Sequence, residues 1–492
     1  MSENLNNKIV TATKWSTITE VMAKLVAPIS SMVLARLLTP EAFGVVATLN
    51  MVIAFAEIFT DAGFQRYLIQ HEFKDEEDTD KSTNVAFWSN LVMSFVLWGV
   101  IAIFNAPLAE WVGSPGLGHV LIVACVSIPI AAFSSIQMAL FKRSLDFKTL
   151  FWRRLATVLV PLCVTIPLAF WLRSYWALVI GTIVTNLVNA ILLTVKSIWR
   201  PRRYYSFVRL KEMFSFCAWS VFDHVLIWAT AYIDIFFVGR ALDAYYLGLY
   251  KISITTVSQF TSLITASVLP VIMPAISRLQ DNLPEMRNTL LKFQKYTAVL
   301  LLPVGVGIFL FQDLVTAVML GSQWVEAAPF IGLWALMEVI MILFSRFCSN
   351  VYPAIGKPKI SVITQVLHLV VLIPAVIISG QYGFRPLYIT RSLVRIEGVI
   401  VNYIFIYITI KQSPWKMIAN VLPEMISCLV MACVAWSLMQ LSNSIAMSFV
   451  WIALCAIVYF ATLSLFPTDR RILLGLKDKV MKTLTKKRQI WR

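Results

Sequence analysis

Charge is what this sequence has least of. Only 14% of its 492 residues are Asp, Glu, Lys or Arg, while 59% are hydrophobic and the mean hydropathy is +0.77. A soluble domain carries about a quarter charged residues, so this composition cannot cover a water-facing surface, and lipid must be the main solvent. Cysteine pairs are missing too. Cys125, Cys163, Cys217, Cys348, Cys428, Cys433 and Cys455 sit in or beside apolar runs with no CxxC between them, and they read as small core side chains. There is no HExxH and no metal-spaced Cys/His set, so neither a metal nor another cofactor is expected. Without a Walker A loop the chain has no ATPase of its own. The acidic stretch HEFKDEEDTDK (71–81) lacks the DxDxDG calcium pattern and reads as a solvated loop. Nor does MSENLNNKIVTATKW have the basic start and short apolar core of a cleavable signal, so the first helix is expected to direct its own insertion.

What is present is a series of apolar runs. Fourteen are long enough to span a bilayer, at 16–38, 42–66, 84–104, 118–141, 149–172, 175–196, 212–240, 246–277, 291–312, 327–355, 359–380, 386–410, 419–440 and 444–466. Most of the 42 Lys and Arg lie at the amino terminus, in the tail and in the connections after even-numbered spans. The other connections hold only Arg36, Arg173, Arg240 and Arg385. That asymmetry puts both termini in the cytoplasm. It also explains the net charge of +16 without nucleic acid, which is not expected as a partner. The tail LLGLKDKVMKTLTKKRQIWR sets Leu473, Leu476, Val480 and Leu484 at helical spacing among lysines, a pattern suited to the anionic lipids of the cytoplasmic leaflet.

One junction occurs twice, as LARLLTPEAFGVV (34–46) and VGRALDAYYLGLY (238–250). Sliding the chain until Trp15 meets Trp219 also matches Ser16 with Ser220, Val21 with Val225, Ala27 with Ala231, Arg36 with Arg240, Leu38 with Leu242, Gly44 with Gly248 and Ala62 with Ala266. An even number of spans separates the copies, so both face the same way. The expected architecture is an all-α integral membrane protein of about fourteen spans. It has a six-helix bundle over 1–196, a cytoplasmic linker at 197–211, and a second, parallel-repeat bundle over 212–411. Two extra helices at 412–466 and a basic cytoplasmic tail at 467–492 complete it. Parallel repeats about an axis along the membrane normal suit rocking around a central cavity. Gly44 and Gly248 would let helices approach closely at each turn, which makes the junctions scaffold rather than site.

Three stretches resemble Wzx-type polysaccharide flippases of the multidrug/oligosaccharidyl-lipid/polysaccharide exporter superfamily: LARLLTPEAFGVVATLNMVIAFAEIFTDAGFQRYLIQ (34–70), QMALFKRSLDFKTLFWRR (137–154) and LGSQWVEAAPFIGLWAL (320–336). The likeness is closest to the colanic-acid-exporter branch. It implies two six-helix bundles around a central cavity and, as cargo, a polyprenyl-pyrophosphate-linked oligosaccharide for surface polysaccharide. It also implies the bacterial cytoplasmic (inner) membrane, with a polysaccharide polymerase and export machinery as partners.

Ionisable groups within spans are costly and are functional candidates by default. The cations are Lys24, Lys251, Arg346, Arg391 and Arg395. Guanidinium offers paired donors that match phosphate oxygens, and Arg391 and Arg395 share one helix face at i, i+4. Against a site, Lys24 has Glu20 at i−4 as a structural partner, Lys251 and Arg346 lie near span ends where they can snorkel, and Arg395 could pair with an acid on another helix. The coupling candidates are Glu20, Glu57, Asp223, Asp234 and Glu338, with His224 opposite Glu20 in the repeat. The leading expectation is a transporter, not an enzyme. The alternatives are a flippase for the peptidoglycan lipid precursor, a cation-coupled drug exporter of the same superfamily, and a membrane-embedded polysaccharide polymerase. The last generally needs a large external loop, which this chain lacks.

Overall fold

A computed structural model describes residues 22–24, 26–441 and 444–475. Every regular element among them is helical. In lipid each backbone donor and acceptor must be satisfied internally, and a helix does this within one segment. In chain order α1 covers 26–37, α2 Pro40–Gln70, α3 Glu76–Ile103, α4 Gly118–Arg143, α5 Lys148–Leu172, α6 Trp176–Lys196 and α7 Phe207–Ala241. There follow α8 Ala244–Ser277, α9 Leu283–Leu310, α10 Ser322–Ala354, α11 Pro358–Gly380, α12 Phe384–Ile410, α13 Leu422–Met439 and α14 Ile445–Leu463. Among the described residues twelve helices are long and apolar enough to cross a membrane, and α8, counted as one bent span, makes thirteen. The remaining expected span, 16–38, begins outside the described residues.

Local chemistry sets the helix ends. Asp75 caps α3, its Oδ1 accepting from the Asp78 amide at 2.7 Å, and Glu76, Glu77 and Asp78 place negative charge at the positive end. Asn282 caps α9 in the same way at 3.2 Å. Arg143 closes α2, donating to the carbonyls of Leu68 and His71 at 2.7 Å each. Those are acceptors that a helix end leaves unsatisfied. Bends have identifiable causes as well. The helical ladder loosens into a π-turn at Pro161–Thr165 in α5 and again at Ile342–Arg346 in α10, and α12 is interrupted at Val394.

The chain divides into two compact units, one of residues up to Ile252 with Leu372–Leu387, the other Ser253–Val371 with the chain from Tyr388. In the first unit Val45, Leu49 and Ile53 of α2 pack with Leu121, Cys125 and Ile128 of α4. The second is built around a larger core that runs from Ile272 and Met286 through Phe347 and Tyr352 to Tyr459 and Leu463. The cysteine expectation needs a correction: Cys125, Cys348, Cys428 and Cys455 are buried, but Cys163 and Cys433 are exposed. In a chain solvated by lipid, an outward face accepts a thiol as readily as a core does.

Two features of the first unit bear on the sequence reading. The twin junctions meet each other. A Cβ on Gly44 would strike the Ala244 carbonyl, and one on Gly248 would strike that of Pro40, so both glycines are needed for the backbones to touch. Residues 197–206, read as linker, lie along the start of α3, while 207–211 already belong to α7. Trp88 donates to the Arg202 carbonyl at 2.8 Å, the Arg202 amide donates to Asn84 Oδ1 at 2.6 Å, and Arg209 pairs with Asp78.

Candidate functional site

In the second unit three of the five expected cations converge on one acid. Glu338 on α10 is 3% exposed. Its Oε2 accepts from Arg395 Nη1, and its Oε1 lies 2.8 Å from Arg346 Nη2. The π-turn between Glu338 and Arg346 advances the helix by one residue, which changes the face that Arg346 presents relative to a regular helix. Asn402 supports that turn by donating to Ser345 Oγ at 2.9 Å, and the Tyr352 hydroxyl donates to Asn402 Oδ1 at 3.1 Å.

Trp334, four residues before Glu338 and fully buried, serves as a platform. The Arg395 guanidinium lies 3.6 Å from its ring centre and that of Arg391 lies 5.0 Å away. Guanidinium over indole is worth roughly 0.5–2 kcal/mol each and lets two cations share one apolar surface. The break at Val394 resets the helix between the two arginines expected to share a face, yet both reach the ring.

Next to this group is a pair the sequence reading did not identify. His368 of α11 and Glu397 of α12 meet at 2.9 Å between Nδ1 and Oε2. Their spacing in the chain carries no signal. Only the fold brings α11 against the start of the second half of α12.

The other candidates lie elsewhere. Lys24 and Lys251 belong to the first unit and are both half-buried. Lys251 Nζ lies 5.5 Å from the Tyr232 ring centre. Asp234 is buried and accepts from the Tyr250 hydroxyl at 2.7 Å and from the Ile235 amide at 2.8 Å. Glu57 is half-buried on α2. Glu20 lies outside the described residues, as does the side chain of Asp223. Among the described residues no group of three His, Cys, Asp or Glu could hold a metal ion.

A second buried charge group also escaped the sequence reading. Lys295 on α9 donates to Glu424 Oε2 at 3.2 Å, to Asp469 Oδ2 at 3.0 Å and to the Asn420 carbonyl at 2.9 Å. Both acids are fully buried. The group ties α9 to the start of α13 and to the helical turn at 467–475 that follows α14.

Residues 33–329 match a family described as polysaccharide biosynthesis protein. The succinoglycan biosynthesis transport protein ExoT of Rhizobium meliloti is 25% identical over 349 residues, 70% of each chain. The lipopolysaccharide biosynthesis protein WzxC of Escherichia coli is 20% identical over 407 residues, 81% of each chain. Among solved structures, the lipid II flippase MurJ in an inward closed conformation superimposes with a TM-score of 0.75 at 17% identity, covering 92% of this chain and 98% of that one. An inward-facing multidrug resistance MATE family transporter gives 0.62 at 14% identity, covering 80% and 98%.

Proposed function

Because the chain belongs to the polysaccharide biosynthesis protein family, we propose that it is a flippase, not an enzyme, and that it moves a polyprenyl-pyrophosphate-linked oligosaccharide across the bacterial cytoplasmic membrane. The observation that carries the substrate class is the guanidinium group of the second unit. Arg346, Arg391 and Arg395 bear three positive charges, and Glu338 is the acid between them. A pyrophosphate leaving water needs such donors in place of its hydration, and two guanidiniums on one aromatic platform present them in fixed planes. Lys24 and Lys251 are the remaining candidate cations for a pyrophosphate head. Glu57 and Asp234, with Glu20 and Asp223, would balance charge or carry protons.

The repeated glycine junction supports alternating access between two parallel bundles. The contact of Gly44 with Ala244 and of Gly248 with Pro40 exchanges corresponding positions of the repeat, as a two-fold contact would. In this reading both termini are cytoplasmic, the basic tail rests on anionic lipids, and the released oligosaccharide passes to a polymerase and export machinery. A second reading, transport of the peptidoglycan lipid precursor, is favoured by the superposition on the lipid II flippase.

Deleting the gene separates the two. Accumulation of lipid-linked repeat units of a surface polysaccharide, with peptidoglycan precursors at their normal level, is the expected result. Accumulation of the peptidoglycan precursor alone would overturn the first reading.

A further inference from the structure

We propose that His368 and Glu397 form a protonation site that sets the charge of the adjoining arginine group, so that its affinity for an anionic head group rises as pH falls. The inference rests on the proposed role of that group in holding a phosphate-bearing head.

The geometry fixes where a proton would go. His368 Nδ1 lies 2.9 Å from Glu397 Oε2. An ionised carboxylate can only accept, so Nδ1 must donate, the neutral ring is the Nδ1–H tautomer, and an incoming proton adds to Nε2. The two side chains are 17% and 20% exposed, so neither is sealed inside the protein. The charged groups that face His368 are Glu397 and, from α12, Arg391 and Arg395. Through Arg395 they continue to Glu338 and Arg346 on α10.

Charge balance gives the direction. With His368 neutral, three guanidiniums stand against two carboxylates, Glu338 and Glu397, and one positive charge is left over. Protonation makes it two. The second Glu397 oxygen, Oε1, has no hydrogen-bond partner among the described residues. Of the titratable side chains here, only imidazole has an ordinary pKa inside the physiological range. A dianionic ligand offsets the added positive charge, so anion binding and proton uptake reinforce one another, and by linkage each strengthens the other equally.

The test uses the whole protein in nanodiscs and a short-chain dialkyl pyrophosphate, a diester that stays doubly ionised through the range. Binding should tighten at least tenfold between about pH 8 and about pH 5.5, since one extra charge about 12 Å away at an effective dielectric constant of about 20 already gives that factor and a nearer one gives more. His368→Gln, which stays neutral at every pH, should bind with no such slope. Glu397→Gln removes a negative charge at every pH, so it should bind more tightly than wild type at the alkaline end and show a shallower slope. It remains informative if His368→Gln fails to insert. A wild-type affinity independent of pH, or an unchanged slope in both variants, overturns the proposal while leaving the arginine group as a head-group site. Absence of binding at any pH overturns both.

Discussion

The second unit contains two buried charge networks that differ in the sign of what is left over. Around Lys295 a single ammonium meets two carboxylates and a backbone carbonyl, so all three of its donors are used and the surplus is negative. Around Glu338 the surplus is positive and a donor remains: Arg395 Nε has no hydrogen-bond partner among the described residues. A buried donor without a partner costs about 1–3 kcal/mol. A network that fastens helices has no reason to leave donors open, whereas one that receives an anion has to. The Lys295 group therefore reads as a fastener for α9, α13 and the turn after α14, and the arginine group as a place for a ligand.

The largest effect should come from breaking the fastener. Lys295→Met leaves two buried carboxylates without a cation, and removal of one partner from a buried ion pair costs about 3–5 kcal/mol. The variant should insert poorly and unfold at lower temperature in detergent, while polysaccharide output per inserted molecule stays near wild type. Adding Glu424→Gln and Asp469→Asn should restore most of the lost stability. If output per inserted molecule fell with Lys295→Met and stayed low in that triple variant, the network would have to be part of the transport site.

Next in size is the arginine group, where stability and transport should separate. Arg395→Ala should abolish output per inserted molecule and, because it also strips Glu338 of a partner, lower abundance. Pairing it with Glu338→Gln removes the stranded carboxylate. Abundance should then recover while output does not. Recovery of both would make the Arg395–Glu338 pair structural and end its role as a head-group site. Arg395→Lys should restore only part of the output, since an ammonium lacks the paired donors of guanidinium.

Much of the scaffold is legible in the sequence. Helix boundaries fall within a few residues of the apolar runs for most spans, because lipid makes length and hydropathy the dominant signal. Intramembrane charge singled out Arg346, Arg391, Arg395 and Glu338, since so few ionisable residues lie at that depth. The sequence could not show that these four meet, because their encounter depends on a π-turn at Ile342–Arg346 and a break at Val394 that no residue pattern announced. His368 and Glu397 were invisible for another reason: each is ordinary alone, and the signal lies in a contact between two helices. Lys295, Glu424 and Asp469 each lie near the end of an apolar run, where charge carries little signal, yet all three are buried.

The smallest effect expected is at Trp334, and it distinguishes a ring face from mere bulk. Both guanidiniums lie over this indole, Arg395 at 3.6 Å and Arg391 at 5.0 Å. If the platform holds them ready for phosphate, Trp334→Leu should weaken dialkyl pyrophosphate binding by roughly two- to thirty-fold, as cation–π terms of about 0.5–2 kcal/mol imply. Trp334→Phe keeps an aromatic face and gives up no hydrogen bond seen among the described residues, so it should recover most of that loss. A core role predicts otherwise. The indole is fully buried, and shrinking it opens a cavity whichever apolar residue replaces it. In that case Phe and Leu should differ in stability according to volume and bind the anion alike. Equal affinities in the two variants, measured on protein matched for folded fraction, would reduce Trp334 to packing and leave the arginines to orient themselves.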